Sequence, residues 1–181
     1  VLPAHELRFN IPGVPLVEPS SASVEPVDNM KKKGKDDVET IIESGQLVHG
    51  VLYKLTEDDF ARVCSTEGVP FAYSLHRCRC IPYAGDGKRA GEDCLRQAMR
   101  GLDEFNDMKS NNEWGVPAFT LRAAMEKWRR DDDIAPSQSY LNVLIQGAKE
   151  FRLDETYLQK LQQIEAGRTF GPGMAEKLLQ I

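Results

Sequence analysis

The sequence predicts an α+β fold in which short, mostly antiparallel strands are flanked by helices. Residues 48–55 alternate apolar and polar side chains, and residues 116–123 have strand composition, which is typical of strands with one buried face. Residues 137–148 and 154–164 instead repeat apolar side chains at helical spacing behind a capping residue, which is Ser137 or Ser139 for the first stretch and Asp154 for the second. With 181 residues, 41% of them hydrophobic, the chain is long enough for one domain with a sizeable core.

Three further stretches complete the predicted strands. Residues 2–11 alternate in polarity until Pro12 and Gly13 break the pattern, and residues 22–26 form a second extended stretch. Residues 73–83 also have strand composition. The helices at residues 137–148 and 154–164 carry apolar stripes, including Tyr140, which we interpret as core rather than as a cofactor site.

A helix is predicted to follow residues 48–55 at once. Thr56 is a suitable N-cap because its hydroxyl can accept a hydrogen bond from a free backbone N–H of the first turn. Gly68 is a suitable residue to follow the last turn, since it adopts a left-handed backbone at no steric cost. Between them, the apolar residues fall on one face: Phe60, Val63 and Cys64.

Glu67, in the last turn of this helix, is a candidate acid/base residue. Its carboxylate faces the negative end of the helix dipole, which disfavours the ionised form, and Val69, Pro70 and Phe71 are expected to desolvate it further. A carboxylate with raised proton affinity suits proton transfer near neutral pH. The alternative is that Glu67 is an exposed helix-terminal residue with no chemical role.

Charge and cysteine content exclude several classes of site. The net charge of −5 gives no electrostatic reason to predict nucleic acid or an anionic membrane as a partner. No apolar run approaches the roughly 20 residues that span a bilayer, so a soluble chain is predicted. The four cysteines lack a CxxC pair or a His cluster, so no metal site is predicted and reduced intracellular thiols are expected: Cys64, Cys78, Cys80 and Cys94. Cys78 and Cys80 share one face of a predicted strand.

Two segments resemble the gamma-glutamylcyclotransferase-like family, which includes the plant avirulence-induced and gamma-glutamylamine cyclotransferase-like proteins. The first is GVLYKLTEDDFARVCSTEGVPFAY at residues 50–73, which resembles the strand, helix and EG segment of that family. The second is PSQSYLNVLIQGAKEFRLDETYLQKLQQI at residues 136–164, with the PS…Y and GA-E pattern of the family's C-terminal helices. With residues 7–26, the resemblance covers most of the chain.

The resemblance implies a small β-barrel, an activity and a site. By resemblance, Glu67 of the EG pair is the catalytic acid/base, while Gly68 and Tyr73 contribute to substrate binding. The implied reaction is the intramolecular cyclisation of a gamma-glutamyl amine or peptide, which releases the amine and 5-oxoproline. It needs no metal or organic cofactor, and the implied partner is a small gamma-glutamyl substrate.

One part of the family pattern is missing. The family's glycine-rich YGSN-type loop, which cradles the substrate carboxylate with backbone N–H groups, has no counterpart in the chain. Enzymatic activity is therefore left open. The alternative is a catalytically inactive accessory or structural subunit of a larger assembly, with an organellar assembly as one option. The chain opens at Val1 without Met or a secretion signal, which predicts a processed or truncated product. We expect an intracellular location, either cytoplasmic or, after removal of a transit segment, organellar (chloroplast).

Two insertions are predicted within the single domain of residues 1–181. The first, at about residues 28–45, is a charge run that we interpret as a solvated hairpin, with a basic docking patch as the alternative. The second, at about residues 84–114, contains an amphipathic helix with apolar residues at near-helical intervals: Leu95, Met99, Leu102 and Phe105. This stripe either covers the fold or docks on a protein partner.

Overall fold

The structure, a computed structural model, describes residues 1–27, 47–84, 88–105 and 115–169. These ranges contain six strands, four α-helices and one short 3₁₀ helix at Glu126–Trp128. The strands are β1 (Leu2–Pro3), β2 (His5–Val14), β3 (Glu18–Pro26), β4 (Leu47–Val48), β5 (Tyr73–Cys80) and β6 (Val116–Ala123). The helices are α1 (Glu57–Thr66), α2 (Ala90–Phe105), α3 (Gln138–Glu150) and α4 (Glu155–Gln162). The predicted α+β class is confirmed. The predicted insertion at residues 28–45 lies outside the described residues.

The strands pair as three antiparallel ladders of two strands each: β1 with β4, β2 with β3, and β5 with β6. In the β5–β6 ladder, Tyr73 pairs with Ala123 and Cys80 with Val116. Beyond the end of β5, Ile81 exchanges hydrogen bonds with Val1, at 2.6 and 2.8 Å. This exchange joins the start of the chain to the β5–β6 ladder.

The described strands do not close the barrel that the resemblance implies. Where β3 passes β6, side chains rather than a backbone ladder join the two strands. The Ser23 hydroxyl accepts a hydrogen bond from the Ala123 N–H at 3.3 Å, and the Glu25 carboxylate accepts one from Arg122 Nε at 2.6 Å. Because polar side chains occupy this junction, the hairpin of β2 and β3 and the β5–β6 ladder remain separate sheets within the described part of the chain.

The strand predicted at residues 48–55 is mostly wrong. Only Val48 belongs to a strand, β4, and residues 49–56 have no regular secondary structure. The apolar side chains of the predicted buried face are largely exposed: Val51 is 40% exposed, Tyr53 64% and Leu55 43%. Alternation predicts a strand only where a neighbouring strand can pair with it, and no partner strand adjoins this segment in the described ranges.

Helix α2 confirms the amphipathic helix predicted in the second insertion. Leu95 is fully buried and packs with Val1, Leu47 and Ile81. This turn of the helix therefore covers the chain's own core. The side chains of the other stripe residues, from Met99 onward, lie outside the described part, so a docking role for them stays a prediction. Among the helices that are described, none combines the length and apolar character needed to cross a membrane.

Helices α3 and α4 begin at the predicted caps. Ser137 Oγ accepts a hydrogen bond from the Tyr140 N–H at 3.0 Å, and Asp154 Oδ1 accepts one from the Thr156 N–H at 2.9 Å. The two helices then bury a shared cluster of apolar residues: Ala148, Tyr157 and Leu161. The caps were predictable because their hydrogen bonds join residues that are neighbours in sequence.

His49 is a buried structural residue between β4 and helices α2 and α4. Its ring stacks on Tyr157 with a centroid distance of 4.7 Å, and its Nδ1 lies 2.9 Å from the Tyr83 hydroxyl. The same hydroxyl accepts the Asp154 N–H at 3.1 Å, so its own proton is free to go to His49 Nδ1. Gly91 permits this packing, because a Cβ at that position would lie 2.4 Å from the His49 ring.

We expect the buried His49 to make the stability of the fold depend on pH. Burial lowers its pKa from 6.5 to about 4, with Val1 and Lys160 adding to the shift and Asp154 opposing it. Between these two pH values the unfolded chain binds more protons than the folded chain. The part of the unfolding free energy that depends on neutral His49 is therefore fully present above pH 6.5 and is lost as the pH drops toward 4. The expected loss is on the order of 3 kcal/mol.

Urea unfolding at pH 7.5 and pH 4.5 measures this loss. A His49→Gln variant, which cannot titrate, should show a smaller fall in unfolding free energy between the two pH values, whatever its stability at pH 7.5. An equal fall in both proteins would assign the pH dependence to other groups.

Candidate functional site

The turn after α1 holds Glu67 in a fixed position. The Glu67 N–H donates to Val63 O at 3.0 Å, and Gly68 has a φ of +67°, as predicted for the residue after the helix. The Gly68 carbonyl then accepts hydrogen bonds from the N–H groups of Phe71 and Ala72, both at 2.8 Å. A side chain at Gly68 would therefore meet both a strained backbone and the Ala72 Cβ, 3.1 Å away.

The other end of α1 is fixed by its cap. Thr56 Oγ1 accepts the Asp59 N–H at 3.1 Å and donates to the Asp59 carboxylate at 2.8 Å. The predicted N-cap is therefore confirmed, and both ends of the ten-residue helix are defined by local hydrogen bonds.

Glu67 is exposed, and its carboxylate has no hydrogen-bond or ion-pair partner within the described ranges. The prediction that its apolar neighbours desolvate it is wrong, because Glu67 is itself exposed and two of those three neighbours turn outward: Phe71 is 74% exposed and Pro70 is also exposed, while Val69 is partly buried. The carboxylate is therefore available to a bound molecule rather than committed to the fold.

Three titratable side chains line one cavity of about 340 Å³: Glu67, Tyr73 and Tyr140. They come from the end of α1, the start of β5 and the first turn of α3. The rest of the described wall is contributed by β2, β3 and β6: Leu7, Ala22, Ser23, Val24, Phe119, Thr120 and Leu121. The fold thus brings together groups that are far apart in sequence.

The two phenols hold the backbone of Ala22 between them. The Tyr73 hydroxyl donates to Ala22 O, and the Tyr140 hydroxyl accepts the Ala22 N–H, both at 3.3 Å. The Tyr73 proton is thereby used within the protein. The Tyr140 proton has no acceptor in the described part of the chain and is free to bind a ligand.

Both phenols are protonated at neutral pH. Burial raises the pKa of Tyr73, and the nearby Tyr140 and Glu67 add to the rise. Burial likewise raises the pKa of Tyr140, against the hydrogen bond from Ala22 and with the charges of Glu18 and Glu67 in support. Glu67 is the single carboxylate on the described wall, which carries no Lys or Arg. The cavity therefore favours a cationic group such as an ammonium.

Two of the three titratable side chains at this cavity, Glu67 and Tyr73, are predicted site residues, and their catalytic and binding roles stay predictions. Gly68 is absent from the described wall and shapes the turn instead, so its role in substrate binding also stays a prediction. Tyr140 was assigned to the core, and the structure corrects this: it is partly buried with its hydroxyl at the cavity. The one feature of the sequence that pointed to Tyr140 as a cavity residue was its place in the PSQSY segment.

Comparison with known proteins gives one match in sequence and one in structure. The chain is 25% identical over 162 residues to the protein named gamma-glutamyl cyclotransferase gliK of Claviceps purpurea (strain 20.1). This alignment covers 90% of the chain and 56% of that protein, so the chain spans a little over half the length of the relative it matches. No protein-family model matches the chain.

The structural match is to the crystal structure, obtained by ensemble refinement, of the uncharacterized human protein loc79017. Its TM-score is 0.57 with 15% sequence identity, and the match covers 99% of this chain and 81% of the human chain. At this identity the likeness concerns the fold alone. The chain is thus similar in sequence to a protein named gamma-glutamyl cyclotransferase, and in fold to the human protein.

Proposed function

We propose that this chain carries the proton-transfer site of a gamma-glutamylcyclotransferase-like enzyme. In the proposed reaction, the α-amine of a gamma-glutamyl compound attacks its own γ-carbonyl, the amide bond breaks, and 5-oxoproline and an amine are released. Nucleophile and electrophile belong to one molecule, so the protein has to fold the substrate and move protons.

The observation that carries the proposal is the Glu67 carboxylate, which has no partner among the described residues, at a cavity with two phenols. The attacking amine must first lose a proton from its ammonium form, and the leaving amine must later gain one. Glu67 takes this first proton and gives it to the leaving nitrogen as the amide bond breaks. The second proton of the attacking nitrogen passes to the released amine, which leaves as an ammonium, so the site ends as it began. Its negative charge also attracts the substrate ammonium to the point where the proton is removed.

The uncharged groups of the cavity fit the rest of the substrate. Tyr140 offers a free hydroxyl proton to an oxygen of the gamma-glutamyl group, either the γ-carbonyl or the α-carboxylate. Thr120, which also lines the cavity, offers a second hydroxyl. The similarity to gamma-glutamyl cyclotransferase gliK of Claviceps purpurea supports the same class of reaction.

Release of 5-oxoproline from gamma-glutamyl amino acids, glutathione and gamma-glutamylamines tests the proposal. We expect turnover of at least one of these substrates, and none of the same compound with an acetylated α-amine, because acetylation removes the nucleophile. If folded protein turns over none of the panel, the proposal fails for this chain and the accessory-subunit alternative takes its place.

The free hydroxyl of Tyr140 predicts a specific defect. Tyr140→Phe removes one hydrogen bond to a substrate oxygen that is charged or becomes charged in the transition state. Such a bond is worth about 1.5–3 kcal/mol, so kcat/KM should fall roughly 10- to 100-fold. The free energy of unfolding should change little, since only the 3.3 Å bond from Ala22 is lost.

Tyr73→Phe is the matched control, because the Tyr73 hydroxyl donates to Ala22 O within the protein. It should lower kcat/KM several times less than Tyr140→Phe does. Equal effects of the two variants would show that the free proton of Tyr140 has no special role.

A further inference from the structure

Two thiols lie side by side on β5, outside the Glu67 cavity. Cys78 and Cys80 are alternate residues of the strand and so project from the same face of the sheet. Both line a second cavity of about 450 Å³, whose wall also includes Val48, Leu52 and Phe151. This cavity shares Phe119 and Thr120 with the Glu67 cavity. Cys78 is 7% exposed, Cys80 is partly buried, and neither takes part in a disulfide.

The two thiols have different surroundings, and this makes them chemically unequal. Cys78 is buried, and its thiol donates to Ala118 O at 3.6 Å. The neighbouring Cys78 lowers the pKa of Cys80 to about 7, against the effect of burial and with support from the Val1 ammonium. The interaction with Cys80, together with burial, raises the pKa of Cys78. At neutral pH, Cys80 therefore has substantial thiolate character while Cys78 remains a thiol.

The remaining two cysteines provide an internal comparison. Cys64 lies on α1 and Cys94 on α2, so each is on a different element from the pair and from the other. All four are free and none is fully exposed. A difference in reactivity between the pair and these two would thus reflect the local arrangement on β5 rather than exposure alone.

We propose that Cys78 and Cys80 form a peroxide-reactive dithiol, in which Cys80 is the nucleophile and Cys78 the resolving thiol. The Cys80 thiolate attacks hydrogen peroxide, the O–O bond breaks, and a sulfenic acid and hydroxide form. Cys78 then attacks the Cys80 sulfur, the S–O bond breaks, and the departing hydroxide takes the Cys78 proton and leaves as water. The hydroxide of the first step takes from solvent the proton that the Cys80 thiol released when it ionised. Two electrons pass from the thiols to one peroxide, which yields one disulfide and two waters.

The strand spacing allows this disulfide and limits its stability. Alternate residues of a strand have Cα atoms about 6.6 Å apart, close to the upper end of the range of roughly 4.4–6.8 Å found for disulfides. The bond would form within the strand under strain, and a strained disulfide is reduced readily. The site is therefore a reversible modification site, and it does not depend on the proposed cyclotransferase function.

Oxidation of the intact, unsubstituted chain with dilute hydrogen peroxide tests the proposal. Mass spectrometry of the oxidised sample should show a monomer about 2 Da lighter than the reduced chain. A second portion is quenched with iodoacetamide, and in it Cys64 and Cys94 should be alkylated while Cys78 and Cys80 are protected. Dithiothreitol should restore alkylation at both protected residues. Oxidation of Cys64 or Cys94 as fast as Cys80, or disulfides that only link separate molecules, would overturn the proposal.

Three variants separate the two roles. In Cys78→Ser, the disulfide should be absent and a sulfenic acid at Cys80 should be trapped by dimedone. In Cys80→Ser, oxidation of Cys78 should be at least tenfold slower, whereas Cys64→Ser should behave as the unsubstituted chain. Absence of the dimedone adduct from Cys80 in folded Cys78→Ser contradicts the assignment of Cys80 as nucleophile.

Discussion

Replacing Glu67 with Gln is expected to lower the rate of 5-oxoproline release by about 10³-fold, within the range of roughly 10² to 10⁴ that acid/base groups contribute. The amide has nearly the shape of the carboxylate but cannot accept the proton of the substrate ammonium. Because Glu67 is exposed and makes no described hydrogen bond, the free energy of unfolding should stay within about 0.5 kcal/mol of the unsubstituted value.

The steady-state constants distinguish proton transfer from binding. Loss of the general base lowers kcat, whereas loss of attraction for the ammonium raises KM. We expect the larger change in kcat, measured as 5-oxoproline release over a range of substrate concentrations, with urea unfolding of the same preparation as the test of folding.

Glu57→Gln is a suitable control for this variant. Glu57 is exposed at the first position of α1, about 15 Å along the same helix from Glu67, and it is not on the described wall of the cavity. It should keep full activity. If Glu67→Gln retains more than a tenth of the activity, or if Glu57→Gln loses as much, Glu67 is not the acid/base residue.

Local hydrogen bonding explains which parts of the fold could be predicted from the sequence. The caps Thr56, Ser137 and Asp154 and the turn glycine Gly68 act on neighbours within a few positions, so their residue types are sufficient signals. The position of Glu67 was predictable for the same reason, since it follows from the end of α1. Its exposure to solvent was not predictable, because exposure depends on how the following turn is oriented.

Contacts between distant residues explain what was missed. Tyr140 reaches the cavity through Ala22, 118 positions earlier, and no local pattern encodes that pairing. Residues 48–55 show the opposite failure, where a good strand pattern lacks a partner strand in the described ranges. The implied barrel also depends on pairings between distant segments, and a polar junction at Glu25 takes the place of one of them.

The second large effect that we expect is a loss of stability in Glu25→Gln. Glu25 is 8% exposed and accepts hydrogen bonds from Ser23 at 2.6 Å, Arg122 at 2.6 Å and Arg129 at 2.8 Å. Burial alone would raise the pKa of Glu25, but these three hydrogen bonds outweigh it and the pKa is lowered. The carboxylate therefore joins β3 to β6 and to the residue after the 3₁₀ helix.

Removing this charge leaves two guanidinium groups without their shared partner. Breaking a buried ion pair from one side costs about 3–5 kcal/mol, and because the Arg122 side chain is 31% exposed we expect the lower end, about 3 kcal/mol. Glu6→Gln is the control: Glu6 pairs with Arg8 at 3.3 Å on the same hairpin but is 43% exposed, so its loss should cost less than about 1 kcal/mol.

Two further measurements separate the ion pair from the shape of the side chain. The stability that Glu25 contributes is present above its unfolded pKa of 4.5 and is lost as the pH falls through its lower folded pKa. The difference in unfolding free energy between the unsubstituted chain and Glu25→Gln should therefore shrink below pH 4.5. A triple variant, Glu25→Leu with Arg122→Leu and Arg129→Met, removes all three charges and should recover most of the lost stability, since apolar packing can replace a buried ion pair. If the triple variant is no more stable than Glu25→Gln, the junction depends on its hydrogen-bond geometry rather than on charge balance.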